Sequence, residues 1–195
     1  MKLVLASGNR GKQREFQALL APAGFDLVLQ TELGVDSVPE TGETFEDNAL
    51  IKARHAAGAT SLAAIADDSG LEVDALEGRP GVRSARYAGE CASDEDNNAL
   101  LLRELAGVPP ERRTARYRCV LALTRRGDDP APLIARGSWQ GRIGLVPAGD
   151  GGFGYDPLFI PEGHSCTAAQ LTAAAKNAVS HRAQALGALL RALTA

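Results

Sequence analysis

Residues 7–12 are Ser7-Gly8-Asn9-Arg10-Gly11-Lys12, and they decide how the amino-terminal part of the chain folds. The apolar run at 3–6 precedes them and predicts a buried strand, whereas residues 13–20 have apolar side chains at helical spacing. The stretch is therefore predicted to be a strand-to-helix turn. Such a turn points backbone N–H groups and the positive end of a helix at one place, which favours an anion such as a phosphate.

The stretch differs from a Walker A loop, which has four residues between its glycines and a Ser or Thr after the lysine. Here two residues separate Gly8 from Gly11, and Gln13 follows Lys12. A tight turn with solvated charges fits these residues as well as a phosphate-binding loop does. The rest of the chain is needed to distinguish the two.

Composition narrows the classes of protein to consider. The 195 residues, 45% of them hydrophobic, suffice for one domain over 1–195 with a core of its own. The net charge of −3 lacks the basic character of proteins that bind nucleic-acid polymers, and no apolar run approaches the ~18 residues of a membrane span. Three widely spaced cysteines favour neither a disulfide scaffold nor a zinc site, so we expect a cytoplasmic protein.

Helical and strand patterns alternate along the chain. They predict a strand at 25–29, a helix that begins after Thr44 and ends at Gly58, and a helix capped by Ser93. Two long strands, at 116–124 and 133–143, form a predicted hairpin, a brief strand follows at 158–160, and the last helix covers 180–193. This order predicts an α/β fold, with an α+β tendency, built on a mixed sheet.

Two contiguous aspartates, Asp67 and Asp68, end a short apolar strand and precede Ser69 and Gly70. Residues 71–73 are predicted to form another short strand. Because adjacent strand residues point to opposite faces, one aspartate is expected to face a cleft while the other supports it. A carboxylate at a strand end can hold Mg²⁺. Residues 67–70 also fit a solvated turn without a metal. Glu40 lies in a polar loop and also fits a surface charge without a role in a site.

Two further segments have the residue types of a nucleotide site. Phe153-Gly154-Tyr155-Asp156 follows a glycine-rich loop, and its aromatic rings suit either stacking on a flat base or core packing at the start of a strand. Lys176, His181 and Arg182 form a polar cluster near the start of the last helix.

The order and spacing of these signals resemble those of the inosine triphosphate pyrophosphatases. The resemblance extends over essentially the whole chain and rests on residues 7–12, Glu40-Thr41-Gly42, Asn48-Ala49, Ala66-Asp67-Asp68-Ser69-Gly70-Leu71, Pro80-Gly81, Ser84-Ala85-Arg86-Tyr87, residues 151–157, Lys176 and Ser180-His181-Arg182. It implies a single domain of two lobes around a long mixed sheet with a central cleft. It also implies a homodimer.

The resemblance implies a reaction and roles for the phosphate end of the substrate. Water would attack the α-phosphorus of ITP, dITP or XTP and release the monophosphate and pyrophosphate, with Mg²⁺ as cofactor. Residues 7–12 would hold the triphosphate, Asp68 would be the general base and touch the metal, Glu40 would be the second metal contact, and Ser69 would bind substrate.

For the base, the resemblance implies stacking on Phe153 within the substrate-binding segment Phe153-Gly154-Tyr155-Asp156. Lys176 would contact substrate, and His181 and Arg182 would contact the base edge. Because arginine only donates hydrogen bonds, Arg182 would accept a 6-keto purine and reject a 6-amino one. Two alternatives stay open: a related enzyme acting on modified pyrimidine triphosphates, and a nucleotide-binding module without catalysis.

Overall fold

The computed structural model describes residues 2–194, which form six strands and five α-helices. The strands are β1 (Lys2–Leu5), β2 (Asp26–Leu29), β3 (Ala64–Val73), β4 (Thr114–Thr124), β5 (Leu133–Ile143) and β6 (Phe159–Pro161). The helices are α1 (Arg10–Leu20), α2 (Phe45–Thr60), α3 (Asp94–Glu104), α4 (Ala173–Val179) and α5 (His181–Thr194). Within this range, no helix has both the length and the apolar character that crossing a membrane requires.

All six strands belong to one sheet, in the order β2-β1-β3-β4-β5-β6. β1 runs parallel to β2, with Leu5 opposite Leu29, and parallel to β3, with Leu5 opposite Ile65. β5 and β6 are antiparallel, with Ile143 opposite Phe159. The sheet is therefore mixed, and the predicted α/β class is confirmed.

Contacts along the chain define two compact units. The first contains the described residues up to Asp68, Cys119–Gly137 and those from Arg182 onward, and the second contains Ser69–Arg118 and Ser138–His181. The core of the second unit includes Leu71, Leu101, Tyr117, Trp139, Tyr155 and Phe159.

Side-chain alternation in the first unit gives its sheet two apolar faces. Leu3, Leu5 and Ile65 lie in one buried cluster with side chains of α1 and α5. Val4 and Ala64 lie in another, with the alanines of α2. Because side chains alternate between the two faces of a strand, the positions of Ala64 and Ile65 determine which face each later residue of β3 occupies.

Two helix boundaries differ from prediction. α1 begins at Arg10, so Gly11 and Lys12 lie in its first turn and not in the preceding loop. α2 continues past Gly58 to Thr60 and ends where Ser61 adopts a left-handed φ of 54°. Gly127 packs closely on this helix, because a Cβ on Gly127 would lie 2.9 Å from the Gly58 Cα, whereas a Cβ on Gly58 would make only an ordinary contact at 3.8 Å.

One predicted segment was wrong, and one helix was not predicted. Residues 64–73 form one continuous strand, not two short strands joined by a turn, so Asp67 and Asp68 lie in the strand interior. Aspartate is unfavourable in strands, and the pattern gave no sign that both carboxylates have buried partners. The unassigned residues before the last helix form α4, capped by Thr172, so Lys176 lies on α4 and not on α5.

The predicted N-cap of α2, Thr44, is confirmed, and its contribution to stability can be measured. The Thr44 hydroxyl accepts the Asp47 N–H at 3.1 Å and donates to the Asp47 carboxylate at 2.6 Å. We expect Thr44→Ala to lower the free energy of unfolding by about 1 kcal/mol, measured by urea titration, because an orphan N–H is left uncapped. Thr44→Ser keeps the hydroxyl and serves as the matched control, and equal losses in both variants would contradict the assignment.

Candidate active site

Asp67 follows Ile65 by two residues and shares its face of the strand, which α1 and α5 cover. Its carboxylate is buried and contacts Lys12 Nζ, from α1, at 2.9 Å. On the other side Arg182 Nε, from α5, lies 3.5 Å away, and Arg182 also donates to Glu15 at 3.2 Å. Asp67 is therefore held between two cations supplied by two different helices.

These cations determine the protonation state of Asp67. Burial by itself would raise the pKa of a carboxyl group, but the charges of Lys12 and Arg182 outweigh it and hold the Asp67 pKa well below its usual range. Asp67 is thus a permanent anion at every physiological pH, unsuited to proton transfer and well suited to positioning its two cations.

Asp68 points to the opposite face, toward α2. Its Oδ1 lies 2.9 Å from Lys52 Nζ, and its Oδ2 accepts from Asn48 Nδ2 at 3.3 Å. The same Lys52 nitrogen lies 2.6 Å from Glu40 Oε1. Two carboxylates from distant parts of the sequence therefore share one ammonium group.

The loop that carries Glu40 approaches α2 very closely. Gly42 N–H donates to Asn48 Oδ1 at 2.8 Å. A Cβ on Gly42 would lie 2.5 Å from the Asp47 Cβ, so no larger residue fits without displacing the loop. This contact fixes the backbone two residues after Glu40.

Asp68 differs from its neighbour in its protonation chemistry. Burial raises the Asp68 pKa, Glu40 adds to that effect, and Lys52 opposes it without cancelling it. For Lys52, burial alone would lower the pKa, but the surrounding carboxylates keep it above its usual value. Asp68 is consequently the more basic carboxylate, which is the property that a general base requires.

The predicted phosphate loop is organised by its own side chains. The Asn9 Oδ1 caps α1 by accepting the N–H groups of Gly11, at 2.7 Å, and Lys12, at 3.0 Å. The Ser7 hydroxyl accepts the Asn9 N–H at 3.0 Å. Gly8, Asn9 and Arg10 are exposed. The loop is thus pre-formed at the end of a helix whose Lys12 is tied to Asp67.

Asp156 organises a second cluster, within the second unit. Its Oδ2 accepts Lys176 Nζ at 2.5 Å and the Phe153 N–H at 3.0 Å. Lys176 Nζ also lies 5.0 Å from the centre of the Phe153 ring. A Cβ on Gly152 would lie only 2.0 Å from Asp156 Oδ2, so the approach of this loop to the carboxylate requires glycine. Asp156, predicted to bind substrate, is buried and holds two other predicted residues in place.

The remaining predicted residues differ in their surroundings. Tyr155 is buried in the core, and its hydroxyl donates to the Ser84 carbonyl at 2.8 Å. The preceding residue, Gly154, donates its N–H to Asp94 at 2.6 Å. His181 is buried against the rings of Tyr117 and Trp139. Ser69, directly after Asp68, is half-buried.

With this geometry established, comparison with known proteins identifies the family. The model of the Ham1 family matches residues 3–192. The chain belongs to the Ham1 family. The resemblance drawn from the motifs is thereby confirmed.

Relatives in the family are similar over their whole length. The dITP/XTP pyrophosphatase of Shigella flexneri is 57% identical over 98% of both chains, and that of Escherichia coli K12 is 56% identical over the same shares. A Ham1 protein from Coxiella burnetii has a solved structure that is 48% identical, with a TM-score of 0.92 over 100% of this chain and 98% of the other.

Two polar residues of α2, Asn48 and Lys52, were given no role from the sequence. They lie four residues apart, and therefore on one face of the helix, where both contact Asp68. Alanines occupy most of that face, which is buried. The sequence signal that could have revealed Asn48 and Lys52 is their four-residue spacing on a helix face that otherwise consists mostly of alanines.

The predicted magnesium ligands can be tested against this geometry. Among residues 2–194, no group of three or more His, Cys, Asp or Glu side chains is arranged to hold a metal ion. Mg²⁺ at nucleotide sites, however, takes one or two carboxylates, and waters and phosphates supply the rest. Glu40 and Asp68 already converge on one cationic nitrogen, so the two residues fit the predicted ion.

The low pKa of Asp67 predicts a pH-dependent contribution to stability. Its stabilisation is fully present above the unfolded-state pKa of about 4 and is lost as pH falls toward the lower folded-state value. Because Asp67→Asn removes the anion that Lys12 and Arg182 share, although Arg182 keeps Glu15, we expect it to cost about 3 kcal/mol at pH 7. In urea titrations, the difference in free energy of unfolding between Asp67→Asn and the natural protein should shrink below pH 4.

An exposed carboxylate of the first unit supplies the control for this experiment. Asp26→Asn should change the free energy of unfolding by no more than about 0.5 kcal/mol at each pH. A gap for Asp67→Asn that stays constant from pH 7 to pH 3 would show that Asp67 is not the ionised partner of these cations.

Proposed function

We propose that this protein hydrolyses the deaminated purine nucleotides dITP, ITP and XTP to monophosphate and pyrophosphate, and so removes them from the nucleotide pool. The observation that carries the proposal is the pair of buried aspartates on β3, one locked to Lys12 and the other sharing Lys52 with Glu40. The pyrophosphatase names of relatives that are 57% and 56% identical support the same activity.

Asp68 is the proposed general base. Its raised pKa favours proton uptake, and the hydrogen bonds from Asn48 and Lys52 fix the direction of its carboxylate. In the proposed step Asp68 takes a proton from water, the water oxygen bonds to the α-phosphorus, and the bond from that phosphorus to the bridging oxygen of pyrophosphate breaks. Such a transfer requires little covalent work from the protein beyond positioning and charge stabilisation.

Glu40 and Asp68 are the proposed holders of Mg²⁺. When bound, the ion would neutralise phosphate charge and orient the attacking water. Lys52, which both carboxylates contact, would then be available to a phosphate oxygen. Lys12 and the loop of residues 7–11 are the proposed grip on the rest of the triphosphate, with Ser69 as a further substrate contact.

Recognition of the base is assigned to the cluster around Asp156 and to the start of α5. The Phe153 ring would stack on the purine, Lys176 would contact the substrate, and His181 and Arg182 would donate to the base edge. A donor at the 6-position favours hypoxanthine and xanthine over adenine, because an amino group would leave it unpaired. The homodimer, the single domain over 1–195 and the cytoplasmic location stay predictions.

A panel of triphosphates with product identification tests the activity. With Mg²⁺, we expect dITP, ITP and XTP to release pyrophosphate at least about 100-fold faster, by kcat/KM, than ATP, because buried donors discriminate strongly. Faster turnover of a pyrimidine triphosphate would favour the related pyrimidine enzyme. If nucleotides bind and no pyrophosphate forms, the protein is a binding module. Chelation by EDTA should stop the reaction.

Asp68→Asn tests the base assignment. We expect kcat to fall by about 10²–10⁴-fold while dITP still binds, because the amide cannot take the proton. Asp128→Asn, in an exposed turn, is the control, and a fully active Asp68→Asn protein would refute the assignment.

A further inference from the structure

Tyr117, on β4, contacts His181 and Asp156, two residues of the segments to which base recognition is assigned. Its ring is nearly parallel to that of His181, with centroids 4.7 Å apart and planes 10° apart. The Trp139 ring lies 6.5 Å from each of them, inclined by 22° to Tyr117 and 19° to His181. His181 therefore rests flat on an aromatic wall. Because the ring torsion of histidine is soft, such a wall determines the plane that the imidazole adopts.

The hydroxyl of Tyr117 contacts Asp156, the second of these residues. It donates to Asp156 Oδ1 at 3.3 Å. The opposite oxygen, Oδ2, is the one that accepts from Lys176 and from the Phe153 N–H. The carboxylate is thus held at both ends, and its orientation decides where the Lys176 ammonium lies over the Phe153 ring.

We propose that Tyr117 is a positioning residue for base recognition, acting through His181 with its ring and through Asp156 with its hydroxyl. The inference rests on the proposed function, which assigns Phe153 and His181 to the purine and Lys176 to the substrate. Tyr117 itself is 7% exposed and lies in the core of the second unit, so it acts on the base only through these neighbours. Its two contacts are separable, because phenylalanine keeps the ring and removes the hydroxyl.

Two substitutions separate the contribution of the Tyr117 hydroxyl from that of its ring. We expect Tyr117→Phe to raise KM for dITP about three- to tenfold with kcat within about twofold, because one hydrogen bond to a charged group is lost. Tyr117→Leu should raise KM further and also lower the preference for dITP over dATP, because the wall behind His181 is gone. Tyr87→Phe is the matched control: it too removes a hydroxyl that donates to a carboxylate, that of Glu104, and it should change neither parameter.

An NMR measurement gives a readout that does not depend on turnover. In protein with isotope-labelled histidine, loss of the ring current in Tyr117→Leu should shift the His181 ring signals, and Tyr117→Phe should leave them nearly in place. Unchanged KM and selectivity in Tyr117→Leu, with or without a lowered melting temperature, would overturn the proposal, and so would unmoved His181 signals. If the natural protein releases no pyrophosphate from dITP, the proposed function fails, and the dITP dissociation constants of the same variants decide the role of Tyr117.

Discussion

The two-residue period of β3 is the constraint on which the candidate site depends. Adjacent residues of a strand point to opposite faces, so Asp67 and Asp68 cannot share surroundings. Ile65 assigns Asp67 to the face that α1 and α5 cover, and Ala64 assigns Asp68 to the face that α2 covers. Each carboxylate is buried and must find its own cation there, because a buried charge without a partner is very costly.

Those separate surroundings give two chemically identical side chains different properties. Asp67 meets two cations and has a depressed pKa, whereas Asp68 shares one ammonium with Glu40 and has a raised pKa. Consecutive residues thus provide a fixed anion and a carboxylate with a raised pKa. The environment, not the residue type, makes the distinction.

The parts predicted correctly from the sequence are those that depend on local rules. The strand at 133–143 has the predicted bounds, and Thr44 and Ser93 cap their helices as expected. The continuity of β3 could not be predicted, because aspartate is unfavourable in strands and its partners lie far away in sequence. Lys52 was missed for the same reason: Glu40 is 12 residues from it and Asp68 is 16, and only the folded chain shows that both contact it.

Buried carboxylates that hold lysines recur in the chain, at Asp67 with Lys12, Asp68 with Lys52 and Asp156 with Lys176. A lysine side chain has several rotatable bonds, so a free one would lose much entropy on meeting a phosphate or a base. A carboxylate behind it fixes the ammonium beforehand, which favours a ligand of matching geometry over a merely anionic one. The same carboxylate cancels the charge at a distance, so a chain with a net charge of −3 can present local cations without attracting every polyanion. Such pairing exchanges raw affinity for selectivity, and the proposed discrimination between nucleotides requires that exchange.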